Sequence, residues 1–467
     1  MNIKSFVNLF IFSFLLLSSS VSFSKDVTVR IVSKDLSADN ELHQQYMQIG
    51  VDALKKQGIN IKLEIVELTG GQSYKEKLPL AIMSGNIPDI IYDQYGYDKV
   101  MSDQGILEDL TSYVAKSEHL QNAMWKHNKE RLKNYPYLLR AHPPRIRIGT
   151  VRADWLNKAG MSEPQNLDDY YKMLKAFSES DYDGNGSNDT FGLTMTGNTK
   201  RCDWIFNPAF GLGATWENNN GKYSHRYISK NQKEKFAFYN KLYKEGILDP
   251  EFITDKWDVM EDKYYSGKVG MICGSIGLTM NVYQGKMDNV QGSHTPILAL
   301  KPPANAFAPI DASKEGRGYM ISALSEVKDE AFAFLEYWAS PEGLITEKLG
   351  LPGVHHTVSG GNYTLTDKHP THEPLFYEPN IPAPVETFVP AATQSFNYAS
   401  DLVTFDNKFA YPEELQAQAD NAENIYWEYS YKFISGEIPL SDFDAYVDTW
   451  LKSGGQDITD YANKILN

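Results

Sequence analysis

The sequence predicts an α/β protein folded as two lobes with a cleft between them. Three observations carry this. Stretches with apolar residues at alternate positions are followed by stretches with apolar residues at helical spacing, repeatedly within the first hundred residues. The chain has 467 residues, too many for one ordinary hydrophobic core. Proline- and glycine-rich segments at 135–147, 301–303 and 351–361 break the pattern, so the chain passes between lobes about three times.

Val27, Val29 and Ile31 alternate with polar residues and read as a strand. Leu42 to Leu54 has helical spacing and stops before Gly58; Ile59 to Ile65 alternates again; Tyr74 to Met83 reads as a helix; and Ile87 to Tyr92 is an apolar run. Strand, helix, strand, helix, strand predicts a parallel sheet covered on both faces. Such sheets bind ligands beyond the carboxyl ends of their strands, where Asp93, Gln94, Tyr95 and Tyr97 fall.

After the first crossing, Asn166 is placed to cap a helix through Phe177, and helices are expected at Lys233 to Gly246 and Trp257 to Ser266. A strand at Gly318 to Ser322, a helix at Lys328 to Trp338 and helical spacing from Glu413 to Leu466 complete the pattern. Trp155, Trp338 and Trp450 lie within apolar helix faces and are assigned to packing.

Lys4, an apolar run from Phe6 to Leu17 and small residues up to Ser24 read as a secretory signal, 1–24, too short in its apolar part to span a membrane. The junction has no cysteine nearby, so a soluble, periplasmic protein without a lipid anchor is expected. The formal charge is −15, against binding nucleic acid by phosphate neutralisation. Cys202 and Cys273 could pair in an oxidising compartment, a question the sequence leaves open.

The sharpest local motif is DYDGNGSND. Asp181, Asp183, Asn185, Ser187 and Asp189 fall at positions 1, 3, 5, 7 and 9 of an EF-hand-like loop around Gly186, a pattern that supplies hard oxygens to Ca²⁺. Position 12 is Gly192, so a further ligand such as Thr190 or a water is required. A polar turn without metal is the alternative.

SGNIPDII (84–91), VRADWL (151–156), NKLYKEGILDPEF (240–252), YYSGKVGM (264–271), FLEYWASPEGL (334–344) and KFISGEIPLSDFDAYVDTWLKSGG (432–455) together resemble family 1 extracellular solute-binding proteins, most closely the branch serving oligosaccharide importers, alginate-type binders included. The resemblance implies a periplasmic-binding-protein fold with discontinuous lobes on a hinge: 25–147 with 316–353, and 148–315 with 354–467. It also implies a structural calcium away from the sugar, a monomer, membrane subunits of an ABC importer as partner, and no catalysis.

Sugar recognition needs flat apolar faces and planar polar groups. Besides Asp93, Gln94, Tyr95 and Tyr97, the candidates are Trp204, Trp216, Ser275, Phe396 and Tyr398 from the second lobe. Arg147 and Arg152, with Arg140 and Arg145 near the first crossing, would fork onto the carboxylates or sulfates of an acidic sugar if they face the cleft. Paired with surface acids, they would not. His355 and His356 are expected as turn residues. The competing classes are a secreted carbohydrate-active enzyme, for which a carboxylate pair can always be nominated among 60 acids, and a binder of another polar solute such as a peptide.

Overall fold

The computed structural model describes residues 26–68, 72–93, 98–311, 317–369, 372–379, 383–409 and 411–467. Its strands are β1 (Val27–Val32), β2 (Ile61–Ile65), β3 (Ile90–Asp93), β4 (Arg147–Arg152), β5 (Phe191–Leu193), β6 (Trp216–Asn219), β7 (Lys222–His225), β8 (Val269–Ser275), β9 (Ile297–Leu300), β10 (Gly318–Ile321), β11 (His356–Ser359) and β12 (Asn362–Leu365). They form two four-stranded sheets, ordered β10-β3-β1-β2 and β5-β8-β4-β9, and two hairpins, β6-β7 and β11-β12.

The first sheet follows from its period-2 pattern. β1 runs parallel to β2 and β3, as predicted, while β10, arriving from the far side of the chain, adds antiparallel to β3. Val29, Ile31, Ile90, Tyr319 and Ile321 point to one face, under the helices Glu41–Lys56 and Lys328–Tyr337. Val32, Ile91 and Met320 point to the other, under the helix Gln72–Met83. Gly50 permits the closest approach of the two covering helices: a Cβ there would lie 2.7 Å from Phe334 Cε2. Trp338 stacks on Tyr46 at 4.7 Å and on Phe376 at 4.9 Å.

The second sheet is mixed. β4, entering directly from the first crossing, runs antiparallel to β8 and β9, and only β5 is parallel to β8. Its core gathers Trp155, Tyr170, Phe177, Phe236, Tyr426, Phe433 and Trp450 around the sheet and the C-terminal helices. Trp155, Trp338 and Trp450 are all fully buried, as expected. The cores divide the described residues into two lobes. Ala141 belongs to the first core and Ile146 to the second; Ile310 to the second and Tyr319 to the first; Tyr377 to the first and Ala391 to the second. The chain therefore crosses three times. Phe376 and Tyr377, assigned by sequence to the second lobe, pack in the first core, so the third crossing lies about two dozen residues beyond position 353.

That extension is held by the end of the helix Pro341–Leu349. The carbonyls of its last turn lack intrahelical partners. His372 Nε2 lies 2.8 Å from Glu347 O, His369 Nε2 3.3 Å from Lys348 O, and His356 Nδ1 3.2 Å from Leu349 O. Carbonyls only accept, so each of these ring nitrogens carries the hydrogen. His355 Nδ1 instead accepts from Leu351 N at 2.9 Å. His356 thus helps to cap a helix end, while His355 lies in the turn that follows it, as expected.

The same helix contributes Glu347, 2 % exposed, whose carboxylate accepts the Leu375 and Phe376 amides at 3.0 and 3.1 Å. Burial pushes its pKa up to about 8, against the pull of Tyr46 and the amides. A folded pKa above the unfolded value of 4.5 means that this contribution to stability is complete below that value and is lost as pH rises through about 8. Melting temperature is therefore expected to fall between about pH 5 and pH 8.5, and Glu347→Gln to flatten part of that fall. Parallel pH profiles of the two proteins in a scanning melt would refute the assignment.

Candidate functional site

The carboxyl end of β8 and the amino end of β4 lie side by side, because Arg147 is in register with Ser275. Beyond Ser275 the chain turns at Gly277, with φ of 70°, into the helix Leu278–Gln291, whose first turn faces the same space. On the first lobe, Asp93 ends β3 opposite Gly318, which begins β10 with Arg317 just before it. Leu139, in the first crossing, exchanges two backbone hydrogen bonds with Tyr319, at 2.7 and 2.9 Å. Gly318 makes this possible: a Cβ there would sit 2.3 Å from Leu139 O. Arg140 Nη1 then donates to Arg317 O at 2.9 Å. From the third crossing, Glu378 N donates to Ala141 O at 2.7 Å, and Trp125 Nε1 donates to Glu378 O at 2.9 Å.

All three crossings therefore meet around one pocket of about 210 Å³, lined by Arg140, His142, Arg145, Arg147, Ser275, Arg317 and Glu378. A larger concavity, about 630 Å³, lies between the helix Leu278–Gln291 and residues 369–378 and shares Glu378. The smaller pocket is the candidate site because charged groups from both lobes converge there at strand ends.

Its electrostatics are one-sided. Burial, followed by the like charge of Arg201, pulls the Arg147 pKa down to about 10, still charged at neutral pH. Arg201 Nε donates to Cys273 O at 3.1 Å, beside the same strand end. Burial, followed by Arg140 and Arg317, holds His142 well below its ordinary range, so it is neutral. Glu378 is the one acid among the described lining residues, pushed up to about 7 by burial against the pull of Lys348, the Leu278 amide and Arg140. Arg317 Nε and His142 Nδ1 are buried without a hydrogen-bond partner among the described residues. Guanidinium groups clustered at a strand end, the Arg317 Nε donor among them, suit an anion.

The sequence-derived candidates divide. Arg147 and Ser275 line the pocket. Asp93 is fully buried at the strand end facing it; Gln94, Tyr95 and Tyr97 lie outside the described residues. Arg152 does not face the cleft. It occupies the other end of β4, pairs with Asp154 through Nη2 at 2.6 Å and Nε at 3.1 Å, and lies over the Trp155 ring at 5.2 Å. Trp216 is 1 % exposed and stacks on Phe409, so it is core and offers no platform. Trp204 and Tyr398 are half-buried against the second core. Phe396 meets Trp125 of the first lobe at 5.7 Å, making an aromatic contact between lobes. Sequence reasoning missed Arg317, His142, Glu378 and Trp125. Arg317 could have been found, since it directly precedes an expected strand at the second crossing.

The acidic loop sits at the far end of the second lobe. Gly267, before β8, would place a Cβ 3.5 Å from Asp183 and 3.1 Å from Arg152 Nη1. Asp181 accepts the amides of Gly184, Asn185 and Gly186 at 2.7, 3.1 and 2.9 Å, and the Gly186 amide foremost lowers its pKa. Asn185 Nδ2 lies 3.0 Å from both Asp183 and Asp189 carboxylates, and Ser187 N donates to Asn185 Oδ1. The donor types fit Ca²⁺. The arrangement is nonetheless a self-satisfied polar turn, and no group of three acidic, histidine or cysteine side chains poised for a metal occurs among the described residues. Thr190 is buried, its hydroxyl donating to Phe177 O at 2.7 Å.

The family model for bacterial extracellular solute-binding proteins matches residues 39–345, and the chain belongs to that family. It is 27% identical to lipoprotein LipO of Bacillus subtilis (strain 168), covering 96% of this chain and 94% of that protein. It is 26% identical to the polygalacturonan/rhamnogalacturonan-binding protein YtcQ of the same organism, covering 82% and 81%. Among solved structures it resembles the alginate-binding protein AlgQ2 without calcium ion (TM-score 0.56, 18% identity, covering 95% of this chain and 98% of that one). It also resembles a human-milk-oligosaccharide-binding solute-binding protein of Bifidobacterium longum infantis ATCC 15697 (TM-score 0.67, 17% identity, 94% and 98%). These likenesses agree with the two-lobed α/β fold. No helix among the described residues is long and apolar enough to cross a membrane.

Arg152→Met is expected to lower stability by about 1–2 kcal/mol, through loss of the Asp154 pair and the Trp155 contact. Urea melts measure the loss, and an unchanged midpoint would show that the pair contributes nothing.

Proposed function

We propose that this solute-binding protein captures an acidic oligosaccharide between its lobes and delivers it, lobes closed, to the membrane subunits of an ABC importer. The observation that carries the reading is the convergence of Arg140, Arg145, Arg147 and Arg317 on one pocket where both lobes and all three crossings meet. Guanidinium groups held at a lobe junction can fork onto a uronate or sulfate from both sides at once, so the ligand itself favours closure. The binding of polygalacturonan by one relative and of alginate by one structural neighbour is consistent with this charge class.

A binder is favoured over an enzyme. Glycoside hydrolysis needs two carboxylates astride the bond, and Glu378 is the one acid among the described lining residues. A peptide ligand would bring its own cationic groups into a pocket already rich in arginine. The supporting scheme is an exported periplasmic monomer, cleaved after residue 24. The hinge would be the three crossings, with lobe one continuing through Tyr377. Calcium, held by Asp181, Asp183, Asn185, Ser187 and Asp189, would brace the far end of lobe two, remote from the sugar.

Titration calorimetry with oligogalacturonates, alginate oligomers and neutral fructooligosaccharides tests the ligand class. The acidic series should bind, and Arg147→Ala or Arg317→Ala should weaken that binding on the order of 10–100-fold. Equal affinity for neutral sugars, untouched by either substitution, would overturn the acidic reading. For calcium, a chelator should lower the melting temperature of the wild type by roughly 2–5 °C and leave a doubly substituted Asp183→Asn, Asp189→Asn protein unchanged. A wild type indifferent to chelator would remove the metal from the scheme.

A further inference from the structure

Cys202 and Cys273 are the only cysteines of the chain, and neither exposes any surface. They come from separate parts of the second lobe. Cys273 lies in β8, two residues before Ser275, and Cys202 precedes the short helix Asp203–Phe206. Both side chains belong to the same buried cluster, and after burial Cys273 is the neighbour that most raises the Cys202 thiol. Arg201 fixes that approach through its bond to the Cys273 carbonyl, while Asp203 N donates to Thr199 O and Phe206 N to Cys202 O, closing the turn that presents Cys202.

The surroundings are the second core, including Tyr170, Ile205, Phe206 and Tyr239. The setting lacks what a working thiol would use. It has no exposure for a substrate, and no metal-holding group forms among the described residues. A family of extracellular proteins folds in compartments where disulfides form and persist. Neighbouring thiols in one core can be joined at the S–S length of about 2.0 Å where their Cβ atoms come to about 4 Å.

We propose that Cys202 and Cys273 are joined by a disulfide in the exported protein. One thiolate attacks the disulfide of a thiol–disulfide oxidoreductase in the export compartment, forming a mixed disulfide. The second thiolate then displaces the oxidoreductase. Two electrons and two protons leave the cysteines, and the oxidoreductase departs as its dithiol. Because both positions are sealed in the finished core, the exchange precedes final packing of that lobe. The bond closes a loop on the order of 70 residues. It fastens the turn carrying Arg201 and Trp204 to the strand that ends at Ser275, stiffening the arginine-lined wall.

The test expresses the whole gene in a host with an oxidising periplasm, denatures the secreted protein in the presence of iodoacetamide and weighs it intact. No carbamidomethyl group before reduction, and two after it, is the expected result. Alkylation of either cysteine without prior reduction overturns the proposal. The same mass shows whether residues 1–24 have been removed, so a failure of export is not mistaken for an absent disulfide. A Cys202→Ser, Cys273→Ser protein should melt roughly 5–10 °C below the oxidised wild type and match the wild type unfolded under reductant. Equal melting of the oxidised wild type and the variant would also count against the bond.

Discussion

Everything at the site depends on a backbone stitch. Leu139 pairs with Tyr319, and Glu378 with Ala141, so three segments remote in sequence lie in one plane between the lobes. Gly318 is the residue that admits this, since any Cβ would collide with the carbonyl of Leu139. Once the stitch is made, the positions of Arg140, Arg317 and Glu378 follow from it, because each adjoins a paired residue. Arg147 arrives from the other side by a similar necessity: the chain leaves the first crossing directly into β4, in register with the end of β8.

Burying these groups among arginines carries an electrostatic cost, visible in Arg147 and His142, both depressed first by burial and then by neighbouring guanidinium groups. Arginine tolerates this better than lysine would, being weakly hydrated and resistant to deprotonation. A buried cation without a full set of partners is unfavourable in the empty protein. A bound anion relieves that penalty, which is how a site can gain affinity from interactions that destabilise its unliganded form. Glu378, close to half-titrated near neutrality by its pKa of about 7, partly plays that part inside the pocket.

The first sheet was legible because its strands keep strict alternation, and β1, β2 and β3 lie where the apolar pattern puts them. Arg147 was legible through its place at a crossing. Arg152 was misread for the same reason: five residues along an extended strand carry a side chain about 17 Å away, to the opposite end of the lobe. Trp216 illustrates a different gap, since an aromatic residue beginning a strand is equally suited to a stacking platform or a core. Only the Phe409 and His225 rings around it decide. Nothing in the one-dimensional pattern announced that three histidines would converge on the helix end at Leu349, because helix capping from distant segments leaves no local spacing to read.

The stitch between crossings is made of main-chain donors and acceptors, with the Trp125 indole as its side-chain addition. Peptide groups are common to every residue, so the axis about which two lobes could turn is almost blind to mutation except at Gly318. Pocket chemistry, by contrast, rests wholly on side chains. Evolution can therefore rewrite the cargo of such a carrier, exchanging arginines for neutral or acidic groups, without touching the machinery that moves it. Substitution at position 318 is the change most apt to end the lineage's motion rather than alter its taste.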